Sequence, residues 1–278
     1  MAFHAQLNRV VLFGGTSSNP AMPPAQTWTW DGTIWTQLTL ATQPSSRSFP
    51  AMVYDSQRQR IVLFGGMIVG SFNRLNDTWE FDGSTWTQVV TATSPPIRAS
   101  PGAAYDAQRH RVVLFGGTTS VDTWEYDGVN WTQRTPPVSP TARSAPAMAF
   151  EAATGMSVLF SGLDSSPSMA YLNDTWTWDG TRWSRRTTST LPPPRTGHAL
   201  AAAADGLLLF GGATATAVYA ADTWQWDGLR WAPRAPATSP PARYLHGMAF
   251  DSVRGRVVLF GGYGTGATIL SDTWEYGP

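Results

Sequence analysis

A five-residue run, Val11-Leu12-Phe13-Gly14-Gly15, limits what this chain can fold into more than any other feature, because it comes back. Further copies stand at Val62–Gly66, Val113–Gly117, Val158–Gly162, Leu208–Gly212 and Val258–Gly262. They lie about fifty residues apart, and self-similarity at a fixed period of that order marks a repeat architecture. Each copy is a short apolar run stopped by glycine, which reads as a strand buried on both faces and ended by a special backbone conformation.

One whole unit runs from Arg47 to Thr91. Pro50 to Asp55 is a first strand and Ser56 to Gln59 a polar turn. Arg60 to Phe64 is a second strand closed by Gly65-Gly66, followed by a variable loop, Met67 to Asn76. Asp77-Thr78-Trp79-Glu80-Phe81 alternates with period two, as a strand does. Asp82-Gly83 opens a tight turn, where a hairpin needs positive φ, and Trp86 to Val90 is the fourth strand. Four short strands with no helix between them make a propeller blade. The sequence repeats the first three strands six times but the fourth only five, at Trp35, Trp86, Trp131, Trp183 and Trp231. The expectation is an all-β, six-bladed β-propeller of four antiparallel strands per blade, the last blade three-stranded. Its blades are 1–46, 47–97, 98–142, 143–194, 195–242 and 243–278 of a single domain. Met1-Ala2-Phe3-His4 aligns with Met248-Ala249-Phe250-Asp251, so the sequence starts and stops within a repeat. This is expected of natural ends falling there or of a piece of a longer protein.

Composition narrows the partners. Formal net charge is zero, so no global field draws the chain to nucleic acid or an anionic membrane. All 19 basic side chains are arginine, and there is no cysteine for disulfide or thiolate chemistry. No run approaches the ~18 apolar residues of a membrane span, and the first residues carry no signal-peptide core.

Gly-Gly after an apolar strand, an aromatic strand, Asp-Gly, a Trp seven residues after the Asp-Thr-Trp tryptophan, and then Pro-x-Arg together resemble the kelch repeat family, over essentially the whole chain. The resemblance implies a β-propeller with a central channel. It does not imply one function, because kelch propellers include actin- and ligase-adaptor modules, galactose oxidase, sialic-acid mutarotases and plant specifier proteins. The copper centre of galactose oxidase needs a cysteine that this sequence lacks.

Against this repeat the candidate residues can be weighed. All 14 tryptophans occupy repeat positions, which favours inter-blade packing over carbohydrate stacking. Glu80, Glu125 and Glu275 alternate with tryptophan, and Arg60, Arg111 or Arg256 on neighbouring blades are the expected partners. Arg47, Arg98, Arg143, Arg195 and Arg243 follow each inter-blade linker. In kelch adaptor domains that this chain resembles, arginines so placed face the channel mouth and grip acidic peptides. The bland reading is that each ties linker to blade through backbone carbonyls. Three residues later stand Pro50, Pro101, Pro146, His198 and His246; the two histidines are the candidate acid–base groups. His4 and His110 read as surface residues. Loops after the second strand vary, and a scaffold carries function where its loops vary. Their apolar and aromatic residues include Met22, Met67, Phe72, Tyr171, Tyr219 and Tyr263, with Tyr244 beside them in the last linker.

The leading expectation is a binding or scaffold module without cofactor or metal. It would take a peptide, a protein or a small anionic or polar ligand at an arginine-lined mouth, through Arg47, Arg98, Arg143, Arg195, Arg243, Tyr244, Phe72, Tyr171, Tyr219 and Tyr263. The alternatives are an enzyme of sugar-acid mutarotase type, or another acid–base catalyst, using His198 and His246, and a structural propeller of a larger surface protein. A monomer is expected, with pairing possible at the open edge Asp272 to Tyr276.

Overall fold

The structure is a computed structural model, and it describes residues 1–16 and 25–277. Met22 and most of its loop lie outside the described residues. The chain winds into six blades around a channel, each blade an antiparallel sheet laid down in chain order from the centre outward. Blade two is representative. Its strands are β1 (Ala51–Asp55), β2 (Arg60–Ile68), β3 (Arg74–Phe81) and β4 (Trp86–Val89). In every blade the counterpart of β1 packs against the counterparts in the adjacent blades, which puts the first strands at the axis. The last blade has three strands, Gly247–Asp251, Arg256–Tyr263 and Ile269–Tyr276.

The second strand is the core of each blade, as its apolar run requires. Val62, Leu63 and Phe64 are buried, and so are Val113, Leu114 and Phe115. In blade two this strand runs on past Gly65-Gly66 to Ile68, because the pair bends the strand without ending it; the register to β3 shifts between Phe64 and Gly66. Both glycines have positive φ, +63° and +99°. The first lies in the left-handed region that other residues tolerate at some cost, and Ser161 occupies it in blade four at +60°. The second, at +99°, lies beyond that region; a Cβ on Gly66 would meet the Ser48 carbonyl oxygen at 2.9 Å, as one on Gly65 would meet that of Arg98, so φ is what separates the two positions.

Neighbouring blades are joined by one repeated device. Each fourth-strand tryptophan reaches back to the preceding blade, where its indole N–H donates to a threonine in the third strand. The pairs are Trp86 to Thr27, Trp131 to Thr78, Trp183 to Thr123, Trp231 to Thr175 and, closing the ring, Trp35 to Thr273, all at 2.8–2.9 Å. The same indole lies 4.9–5.4 Å from the phenylalanine of the preceding blade's second strand. It lies 5.0–5.5 Å from the aromatic residue ending its own third strand. The tryptophans are therefore packing residues.

Two expectations need correcting. His4 is wholly buried, not a surface residue, and its Nδ1 accepts the Leu7 amide. It replaces an aspartate that, as Asp55 and Asp106 do, accepts two amides of the first turn. The third-strand glutamates find their arginines within their own blade, because Arg58, Arg109 and Arg254 fold over the turn onto Glu80, Glu125 and Glu275. Glu125 also accepts the Trp178 indole, at 2.8 Å across the blade boundary. Arg60 sits 4.0 Å from Asp82 instead, and Arg256 3.9 Å from Glu275 of its own blade.

Candidate functional site

The channel opens on the rim that carries the linkers and the loops after the second strands. Its most regular feature is a set of linker residues two positions after each repeated arginine. Phe49, Ser100, Ala145, Gly197 and Leu245 all have φ between +47° and +61°, although only one is glycine. They are tied in series around the opening. Ser100 donates its amide to Phe49, Ala145 to Ser100, Gly197 to Ala145 and Leu245 to Gly197, at 2.6–3.3 Å. Sequence reasoning missed this ring. Its one signal was the fixed offset from arginine, since the residue types share nothing.

The five arginines lie behind the ring, and the expected guanidinium-lined mouth is not what they form. Arg47, Arg98, Arg143, Arg195 and Arg243 are 0–1% exposed. Each guanidinium donates to both oxygens of the aspartate just before the Thr-Trp pair of the third strand in its own blade: Asp77, Asp122, Asp174, Asp222 and Asp272, with Nη2 to Oδ2 at 2.7–2.9 Å. Nη1 also donates to the carbonyl of the first Gly-Gly position, at 2.8–3.2 Å. Nε donates to the carbonyl two residues back, at 3.0–3.1 Å. The arginine's own carbonyl accepts the second-glycine amide of the preceding blade, at 2.8–3.0 Å. The bidentate geometry suits a planar guanidinium and leaves it little donor capacity for a ligand.

The aspartates are shared in turn, each accepting the indole N–H of the tryptophan two residues on, at 2.5–2.7 Å. Burial pushes the carboxyls of Asp77, Asp122, Asp174 and Asp222 up. The arginine's hydrogen bonds and charge, with the indole bond, outweigh it and hold them below the usual carboxylate range. In Asp272 the arginine bond is the largest influence, with the same outcome. In blade one the equivalent position is Gln26, whose side-chain oxygen accepts the Trp28 indole at 3.1 Å.

His198 and His246 line the mouth, where Pro50, Pro101 and Pro146 stand in other blades. Both are buried and sit edge-on to Phe160 and Phe210. Burial and the adjacent arginines push His198 well below the ordinary imidazole range and His246 down to about 3. Both are neutral at physiological pH, and no ring nitrogen meets hydrogen-bond geometry with a partner among the described residues.

Among the expected aromatic loop residues, three tyrosines gather on one side of the opening. Tyr219 stacks on Tyr244 at 4.5 Å, Tyr244 lies 5.5 Å from Tyr263, and the Tyr263 hydroxyl is 2.6 Å from Thr16 Oγ1. Burial, with Tyr219, Tyr263 and Tyr171 nearby, raises the Tyr244 hydroxyl above its ordinary range. Phe72 stands apart, 92% exposed at a loop tip.

Blades that repeat a Gly-Gly strand and an arginine–aspartate anchor around a channel, with unequal loops on one rim, define a kelch-type propeller. A family model, the KLHDC2/KLHL20/DRC7 Kelch-repeats domain, matches residues 1–212, and the chain belongs to the kelch-repeat family. Propellers of this family are typically protein-binding or scaffold modules. A comparison with curated proteins finds no match. Among the described residues no helix is long and apolar enough to cross a membrane, and no cluster of three metal-ligating side chains occurs.

Proposed function

We propose that this propeller is a non-catalytic binding module whose ligand, an extended peptide of a protein partner or a small polar molecule, docks at the mouth between the linker ring and the tyrosine cluster. The observation that supports it is the cluster of Tyr219, Tyr244 and Tyr263, of which Tyr263 lines that opening. Rigid, amphipathic aromatic side chains beside exposed backbone suit recognition at low entropic cost. The arginines support the reading indirectly, as the frame under the linkers. Their charges are matched by the aspartates, so a strong preference for anionic ligands has no support in the geometry.

A peptide-display selection against the immobilised protein tests this. Selected peptides should lose about tenfold or more in affinity for Tyr244→Ala or Tyr263→Ala, the loss typical of an aromatic anchor. Peptides that bind both variants as well as the parent protein would place recognition elsewhere. The enzyme reading uses the same mouth with His198 or His246 as proton acceptor. An imidazole at about 3 is a weak base at neutral pH, which counts against it.

A further inference from the structure

The mouth is not the same all round. Three residues after each repeated arginine, blades two, three and four place Pro50, Pro101 and Pro146, whereas blades five and six place His198 and His246. All five line the opening, so apolar rings wall one side of it and imidazoles the other, with Tyr263 of blade six nearby. Among the described residues no charged side chain lines this cavity, because the repeated arginines are buried behind the linkers.

The imidazoles are firmly held. His198 is 6% exposed and His246 8%, and each lies edge-on to the phenylalanine of the preceding blade, at 5.5 Å from Phe160 and 5.6 Å from Phe210. His246 Cε1 fills space that a side chain on Gly211 would need, since a Cβ there would meet it at 3.0 Å. Yet both nitrogens of both rings lack a hydrogen-bond partner among the described residues. Proline fills the same position in three blades with no polar side-chain atom, so blade packing does not call for histidine. A buried polar group without a partner is costly, and a complementary ligand would remove that cost.

A neutral imidazole has one N–H and one lone pair. Two of them on adjacent blades suit a group that both donates and accepts. A carboxylate only accepts, and leaves the lone pairs unmet. An ammonium or guanidinium only donates, and brings positive charge toward Arg195 and Arg243, whose charges already act on these rings. A primary carboxamide does both on two separate atoms. Its oxygen accepts an imidazole N–H, its NH2 donates to an imidazole lone pair, and it carries no charge into a mouth whose lining side chains have none.

We propose that His198 and His246 form the selectivity element of the mouth and take a primary carboxamide, as in an asparagine or glutamine side chain of the ligand, while Pro50, Pro101 and Pro146 pack against its apolar part. This rests on the mouth being the binding site. Rings locked in place before the ligand arrives lose little freedom on binding.

Benzamide, benzoate and benzamidinium are probes of one shape with a neutral, an anionic and a cationic head. Each is titrated at neutral pH into the whole protein, and the imidazole signals of its 4 histidines are followed by NMR. Benzamide should shift the His198 and His246 signals saturably, and the two charged probes should bind about tenfold or more weakly. This comparison needs no variant. His198→Pro and His246→Pro install the residue that three other blades carry, and each should weaken benzamide about tenfold. The proposal is overturned if benzamide leaves both signals unmoved at high millimolar concentration, if either charged probe matches it, or if the double proline variant binds it as well as the parent. Selected peptides separate this inference from the reading beneath it. Peptides that need Tyr263 but bind the double proline variant unchanged keep the mouth and sink the imidazole pair; peptides indifferent to both sink the mouth as well.

Discussion

At the scale of single residues, the repeated arginine shows how burial decides a role. Arg98 is wholly buried and paired to Asp122. Arg98→Ala would leave that carboxylate without its guanidinium, which costs about 3–5 kcal/mol. Urea denaturation should therefore show a large loss of stability. Unchanged stability would mean that the pair is solvated in solution. Acid should act on the same pairs. Their folded-state pKa values lie below the unfolded ones, so they contribute stability above about pH 4 that is lost as pH falls through the depressed values. His198 and His246 add to this, because the unfolded chain takes up protons on them below about pH 6.5 while the folded protein does not. Stability should start to fall below about pH 6.5. His198→Gln with His246→Gln should flatten the curve between about pH 6.5 and 4 and leave the steeper carboxylate limb. The repeated arginine was plain in the sequence, yet its partner was not. Asp122 lies 24 residues further along, and nothing in either residue's neighbourhood says that the fold brings them together.

At the scale of elements, the blade boundary offers a matched comparison. Thr78 accepts the buried Trp131 indole, and Thr223 is its equivalent between blades five and six. Thr78→Val strands a buried donor and should cost about 1–3 kcal/mol, measured by thermal or urea unfolding. Thr223→Val removes no such bond and should be nearly neutral in the isolated protein. Equal effects would show that the threonine matters for the strand itself and not for the boundary. The strands were legible because each carries its own signal. Trp86 and Gly65-Gly66 fix where β4 and β2 begin and bend. The lengthening of β2 to Ile68 was not legible, since it depends on β3 starting at Arg74 inside a loop of unremarkable composition.

At the scale of the whole molecule, stability should be uneven around the ring. The third strand of blade six is mostly half-buried or exposed, whereas its equivalent in blade three, Thr123–Tyr126, is buried throughout. Hydrogen exchange should be fastest at Ile269–Tyr276 among the third strands; uniform protection would mean that the open edge is covered in solution. Six blades and the missing strand could be counted in the sequence. The mouth could not, because its walls come from linkers distant in sequence that meet only once the circle closes. Those linkers hold one further consequence. The four backbone hydrogen bonds from Leu245 back to Phe49 act as links in series, so a push on one linker is passed to the next. The file joins the five linkers from Phe49 to Leu245 into one arc, so the mouth is braced along its inner edge and not blade by blade.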